Sequence, residues 1–486
     1  MQYYGLRHIL AVASLASVIN AMPQQAMAQT KKPAQAPAVT LPVVNTVRTI
    51  NQALAITYAS NPTLQAARAA LRAVDENVPQ ALAGWRPQVQ IASTVGYSDG
   101  TSIVHTLART TKTNTLRGLN TEQLVVTQPL YRGGATRAGT NRAENQVMAQ
   151  RATLMATEQT AFTNAVSAYV SVIQATQVLA LNVNNEQVLA RQLEATRDRF
   201  RVGEITRTDV AQAEAALAGA TATRQTAEGT LQTARSQYQQ IVGEWPGKLV
   251  EPQPLRLPSK TLDEARDLAS GNNPNVVASL FNDAAAKDNV DLQWSKLMPQ
   301  LALQGTLSRA EDATNVNQTA KVAQIVLSAS VPVYQGGSEY SQIRQAQQTR
   351  QQTQKQVDDA RRTAVQSLTQ AWTTYSSAKA AIESTREQIR SNEIALEGVQ
   401  REAIVGSRTT LDVLNAEQTL LNSRVTLVQN LSSLVNASYA VAAATGKLNA
   451  RDLQLDVPLY DETAYYNAVH DRWIGTGDQA VDQPGR

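Results

Sequence analysis

From Gly134 to Val202 the chain reads GATRAGTNRAENQVMAQRATLMATEQTAFTNAVSAYVSVIQATQVLALNVNNEQVLARQLEATRDRFRV. After Gly134 this stretch has no proline and one glycine, Gly139, and is filled with Ala, Gln, Glu, Arg, Leu and Thr. That composition predicts one uninterrupted helix. At about 1.5 Å per residue it would be about 100 Å long, several times the diameter of a small domain. The same rod recurs over 337–405, opened by Gly336-Gly337 as the first is by Gly133-Gly134, and closed by Val405-Gly406 as the first is by Val202-Gly203. A chain that builds two equal rods is spanning a distance, so function is sought at their ends.

Composition narrows the classes. Aromatics are 5% of the 486 residues, too few for several compact cores. The length prior of about three ordinary domains fails for repeat and fibrous architectures. There is no cysteine, which excludes disulfides, zinc-cysteine sites, thiol nucleophiles and a lipid-anchored mature N-terminus. The formal charge of +4 is small, and basic residues are interspersed with acids, so no nucleic-acid footprint is present. At the N-terminus Arg7 and His8 precede the apolar run Ile9 to Ile19, with small residues at Ala26-Met27-Ala28. This predicts an export leader over 1–28, too short to span a membrane.

The chain is written twice. Thr49 to Ala53 and Asn61-Pro62 recur 212 positions later at Thr261 to Ala265 and Asn273-Pro274, as Pro87-Gln88 does at Pro299-Gln300. Pro129-x-Tyr131-x-Gly133-Gly134 recurs 203 later as Pro332-x-Tyr334-x-Gly336-Gly337, and Asp209-Val210 as Asp412-Val413. The difference between the offsets gives the first half nine extra residues between Tyr97 and Leu124, expected as a variable loop. The expected organisation is a leader (1–28), a Pro/Ala-rich arm (29–48), a first repeat (49–242), a Pro-rich linker (243–260), a second repeat (261–446) and a partly disordered tail (447–486).

Between the helical parts of each half the period changes from 3.6 to 2. Val89, Ile91, Val95 and Tyr97 share one face, and Gln88, Gln90, Thr94 and Gly96 the other; Leu301, Leu303 and Leu307 alternate with Gln304, Thr306 and Ser308. Strands are expected at about 88–98, 121–130, 300–309 and 321–331. The alternation suits both a lipid-facing barrel strand with a wet lumen and an ordinary half-buried sheet. The flanks favour the barrel. Pro87 and Pro299 stand where helix becomes strand, and Pro129 and Pro332 where strand becomes helix. Trp85, Trp294, Tyr131 and Tyr334 cluster at the same junctions and read as an interfacial girdle. Four strands cannot close, and open edges are not tolerated in lipid, so several chains must share one sheet. Eight strands fill their own interior, so a conduit needs at least twelve.

These features resemble the TolC family, the outer-membrane factors of type I secretion and tripartite efflux. The resemblance rests on the repeated Pro-x-Tyr-x-Gly-Gly signature, the equal rods, the Val-Gly turns followed by Asp-Val, and Leu455 to Tyr460 with Trp473. It implies a mostly α protein whose duplicated helix-strand-strand-helix repeat supplies four strands to a transmembrane β-barrel of twelve in a homotrimer, above a periplasmic helical tunnel. It implies as partners a periplasmic adaptor, an inner-membrane ABC or RND transporter and outer-membrane lipid. The tail and the missing cysteine are closer to the secretion-type members than to the lipidated efflux members.

At the far end of the rods, Thr206 with Asp209 and Thr409 with Asp412 have the spacing of a helix N-cap with an acid in the first turn. In a threefold tunnel the same aspartates would form close rings able to bind or select cations. The resemblance implies a periplasmic gate at Thr208, Asp209, Arg408 and Asp412. The resemblance implies a second acid where Asn415 stands and a closing tyrosine where Ala403 stands, so the gate is expected to be less acidic and less firmly locked than in the best-known members. The resemblance also implies adaptor contact at Val202, Gly203, Val405 and Gly406. Catalysis has little to work with: His8, His105 and His470 lack a nucleophile-acid constellation, and no cofactor or metal is expected. Close helix packing is expected along Ala211, Ala215, Ala218, Ala222 and Thr226. The rival reading is a soluble periplasmic coiled-coil or adaptor protein, which predicts strict apolar heptads and strands without aromatic junctions.

Overall fold

The computed structural model describes residues 48–313 and 317–477; the expected leader and most of the arm lie outside them. Two rods dominate. Helix α4 (Ala135–Arg201) and helix α8 (Ser338–Ile404) are each 67 residues long, about 100 Å. Each begins at a left-handed glycine, Gly134 or Gly337, that turns the chain from sheet into helix. Their many threonines do not break them. Thr153, Thr157, Thr160, Thr163, Thr176 and Thr196 each donate their hydroxyl to the carbonyl four residues back, at 2.7–2.9 Å. The side chain is thereby satisfied within the helix and does not compete with it.

Around α4 and α8 the shorter helices stack end to end. In the first half these are α1 (Ile50–Ser60), α2 (Pro62–Asp75), α3 (Asn77–Leu82) and α5 (Arg207–Val242); in the second, α6 (Leu262–Asn272), α7 (Pro274–Trp294) and α9 (Thr410–Ala444). Helix α5 returns along the far half of α4, and α7 covers the near half. The Asn-Pro pairs make the joints. Asn61 accepts from the Thr63 N–H at 3.0 Å, capping α2, and donates its amide to the Ile241 carbonyl at the end of α5. Asn273 repeats this with Asn275 and with the Ala444 carbonyl, both at 3.0 Å. One side chain thus starts one helix and ends another.

The seam between α4 and α5 differs from expectation. The buried alanines of α5 are Ala213, Ala220, Ala227 and Ala234, whereas Ala211, Ala215, Ala218, Ala222 and Thr226 are exposed. The buried set repeats every seven residues, the period of a left-handed supercoil. An alanine-rich helix offers several small-residue stripes, and only the partner helix selects one. Heptad spacing alone therefore does not separate the conduit from its coiled-coil rival.

The sheet does. Strands β1 (Gln88–His105), β2 (Thr110–Arg132), β3 (Gln300–Glu311) and β4 (Thr319–Ser330) pair antiparallel in sequence order. The two first-half strands are longer than expected. Their nine additional residues extend a continuous ladder down to His105↔Thr110, leaving only 106–109 as a turn closed by Thr106 and Arg109. The run Thr110 to Thr115 is rich in β-branched threonine, which favours the ladder over a loop. Among the described residues neither outer strand has a partner on its outer edge, and every residue of β4 is exposed.

The main core sits midway along the rods. Leu54 and Tyr58 of α1, Phe162 and Tyr169 of α4, Tyr238 of α5 and Tyr439 of α9 meet there, nearly all sealed from solvent. Helix α4 has a window apolar enough to cross a membrane by composition, and 39% of that window is buried within the protein. The Pro-rich linker runs past it. Tyr169 Oη lies 2.8 Å from the Arg48 carbonyl and 2.7 Å from that of Val250, fastening both segments. Burial pushes the Tyr169 hydroxyl up to about 12, so it remains a donor. The tail also packs: Leu448, Ala450, Leu455 and Val469 are buried, and helix α10 (Ala464–Val469) lies within it.

Candidate functional site

Each rod reverses through the same turn. Gly203 and Gly406 have φ of +84° and +80°. Gly203 N–H donates to the Phe200 carbonyl and Glu204 N–H to that of Arg199, both at 3.0 Å; Gly406 and Ser407 donate likewise to Ala403 and Glu402 at 3.3 and 3.0 Å. These paired bonds form a Schellman motif that satisfies the last carbonyls of the rod. Val202 and Val405, just before the glycines, are 73% and 78% exposed. The tips therefore present bare apolar side chains at the end of the molecule.

The return helices start with matching capping boxes. Asp209 N–H donates to Thr206 Oγ1 at 3.3 Å, while Asp209 Oδ2 accepts from the Thr206 N–H at 2.9 Å and its hydroxyl at 2.7 Å. Thr409 and Asp412 repeat this at 3.3, 3.0 and 2.8 Å. The Thr206 hydroxyl, then its backbone N–H, holds the Asp209 carboxyl below the usual carboxylate range. For Asp412 the backbone N–H of Thr409 leads and its hydroxyl follows. Both aspartates are thus structural caps that stay ionised at neutral pH, and the box engages only Oδ2 of each.

An ion pair clips each turn. Arg199 Nε meets Glu204 Oε2 at 3.1 Å, and Arg408 Nε meets Glu402 Oε2 at 2.9 Å. The polarity is reversed between halves: base before acid in the first, acid before base in the second. Sequence reading singled out Arg408 but missed Glu402, Arg199 and Glu204. The signal was an acid and a base five or six residues apart, straddling a Val-Gly turn. Thr208 and Asn415 stand exposed on the first and second turns of α5 and α9. Within one chain the side-chain bonds of Thr206, Asp209, Arg408, Thr409 and Asp412 all close within their own turn.

At the other end, Pro87 and Pro299 immediately precede β1 and β3, while Pro332 and Tyr334 lie in the irregular segment between β4 and α8. Pro129 departs from expectation. It lies inside β2, where the pairing with β3 shifts between Pro129 and Tyr131. A bulge accommodates the missing N–H, so the strand runs on to Arg132. Trp85 and Trp294 are 45% and 44% exposed at matching places, and Tyr131 and Tyr334 are also exposed. A Cβ on Gly133 would come within 2.5 Å of the Ser295 carbonyl, so the exit of the first half packs directly on the entrance to the second.

The family described as Outer membrane efflux protein matches residues 50–244 and 265–447, covering both repeats. The chain belongs to the outer membrane efflux protein family. This efflux-family chain is 35% identical over 428 residues to Outer membrane efflux protein BepC of Brucella suis, covering 88% of this chain and 91% of that one. Outer membrane protein TolC of Escherichia coli is 26% identical over 420 residues, 81% of each chain. Among solved structures, the outer membrane protein VceC of Vibrio cholerae superposes with a TM-score of 0.70 at 21% identity, over 82% of this chain and 96% of that one. The efflux-family chain is therefore an outer-membrane channel protein reaching into the periplasm, and not an enzyme.

Proposed function

We propose that three copies of this chain close a twelve-stranded barrel in the outer membrane and continue it as a helical tunnel, gated at the Val-Gly tips, through which an inner-membrane pump expels its substrate. The observation that carries this reading is a four-stranded sheet whose outer edges have no partner among the described residues, joined to rods of about 100 Å. Open edges in lipid must be closed by further copies, and eight strands leave no channel. A soluble adaptor has no use for a sheet with uncovered edges and aromatic junctions. Rod α8 is far less buried than its equal α4, which fits α8 as the face a second copy covers.

The tips carry the gate and the docking surface. Asp209 and Asp412, each present three times, would ring the narrow end, with Arg408 and Thr208 beside them and Asn415 reducing the charge of the second ring. Val202, Gly203, Val405 and Gly406 offer an apolar edge to the hairpin of a periplasmic adaptor, and an ABC or RND transporter lies below it. The similarity to the Brucella efflux protein favours efflux as the system served. Single-channel conductance tests the gate. Wild-type currents are expected to be small and blocked by a trivalent cation on the tip side, and the Asp209→Ala, Asp412→Ala double variant to conduct more and escape block. Unchanged conductance and block would leave both aspartates as caps only.

A further inference from the structure

Past α9 the chain climbs back toward the sheet as a strap. Ala450 N–H donates to Glu158 Oε1 at 2.6 Å, Tyr460 N–H to Tyr58 Oη at 3.0 Å, and Tyr465 Oη to Glu76 Oε1 at 2.9 Å. Tyr466 then packs on the cluster of Val78, Ala143 and Val147, and Val469 is fully buried. The strap ends at the barrel junction. Arg86, between Trp85 and Pro87, donates Nη1 to the Arg472 carbonyl at 2.6 Å and lies with its guanidinium 5.0 Å from the centre of the Trp473 ring.

Here the chain is built into a tight turn. Arg472 Nε donates to the Ile474 carbonyl at 3.3 Å and Nη1 to that of Gly477 at 2.9 Å, with Gly475 at φ +106°. The turn holds Trp473 and Ile474 outward, 64% and 89% exposed. Two large apolar side chains fixed in water, on a segment otherwise tied down, call for a partner.

We propose that Arg472 to Ile474 is an interfacial anchor, inserting Trp473 and Ile474 among the headgroups of the phospholipid leaflet that faces the periplasm. Position is the first argument. Arg86 lies two residues before β1, whose apolar row starts at the exposed Val89 and Ile91, so the strap extends the lipid-facing surface of the barrel. Chemistry is the second. Tryptophan prefers the interface, where its ring is half apolar and half polar, and the Arg86 guanidinium, 5.0 Å from the Trp473 ring, puts a positive charge at the level of the anionic headgroups. The proposal rests on the reading of β1 as a lipid-facing strand.

Spin labelling tests it, helped by the absence of native cysteine. Ile474→Cys, Val89→Cys and Val405→Cys variants of the full chain would carry a nitroxide in phosphatidylethanolamine-phosphatidylglycerol vesicles. Collisions with oxygen, which partitions into lipid, are compared with those of a water-soluble nickel chelate. The expected result is a label at 474 that favours oxygen, as at 89, and unlike the tip label at 405. A label at 474 that favours nickel, or is shielded from both because a second copy covers it, overturns the anchor while 89 still reports lipid. A water-exposed label at 89 overturns the anchor together with the barrel reading. Should the labelled protein misfold, brominated lipid should quench the intrinsic fluorescence of wild type more than that of Trp473→Phe; equal quenching overturns the proposal.

Discussion

Asp75 is a carboxyl in an unfavourable place. It is wholly buried at the end of α2, and neither carboxylate oxygen has a hydrogen-bond partner. Burial raises its carboxyl to about 6, against the pull of Arg151 and Arg72. The native state therefore holds this proton more tightly than the unfolded chain, where a carboxyl titrates near 4. Its contribution to stability is fully present below about pH 4 and is lost as pH rises through about 6. At pH 7.5 the charged form costs up to about 3 kcal/mol. Asp75→Asn is expected to raise the thermal unfolding midpoint at pH 7.5 and to flatten its dependence between pH 4 and 6; an unchanged profile would sink this account. The tip aspartates behave oppositely. Their lowered values leave the caps charged until well below neutrality, so cation block of the channel is expected to persist from pH 7 to pH 5.

Two glycines with the same dihedral show how elements are joined. Gly406 and Gly446 have φ of +80° and +79° and both end long helices. A Cβ at Gly406 meets nothing within 4 Å, whereas at Gly446 it would lie 2.4 Å from the Asn272 carbonyl oxygen. Gly406→Ala is expected to cost only the left-handed strain, about 1–2 kcal/mol. Gly446→Ala adds a backbone clash where α9 abuts α6, for a total of about 2–4 kcal/mol. Thermal unfolding of the two variants should show that order, and equal shifts would refute the joint at Asn272. Both glycines stand beside recognisable helix ends in the sequence, but the difference between them comes from a residue far away in the chain.

For the whole molecule, the duplication predicts the seam between copies. Within the chain β2 pairs with β3 so that Leu124 faces Leu307. Carrying that register through the offsets of 203 and 212 pairs Leu327 on β4 of one copy with Val95 on β1 of the next. Oxidising the Val95→Cys, Leu327→Cys variant should give covalent dimers and trimers on a denaturing gel. Val95→Cys with Val326→Cys, one residue out of register and on the opposite face, should not. Covalent products from both or from neither would reject this closure. The rods, the Schellman glycines, the capping boxes and the strand alternation were all legible because each is written in residues a few positions apart, and written twice. Strand ends were less so: Asp99-Gly100 looks like a turn locally, yet Thr115 and Leu116 pair across it and carry β1 onward. Sequence alone thus determined two long helices, four strands and the tip turns, since helical hydrogen bonds, caps and strand alternation are each set by residues a few positions apart. Which alanine stripe forms a seam, which aspartate is stripped of water and where the tail comes to rest were decided only by the tertiary structure, because those depend on what distant segments pack against them.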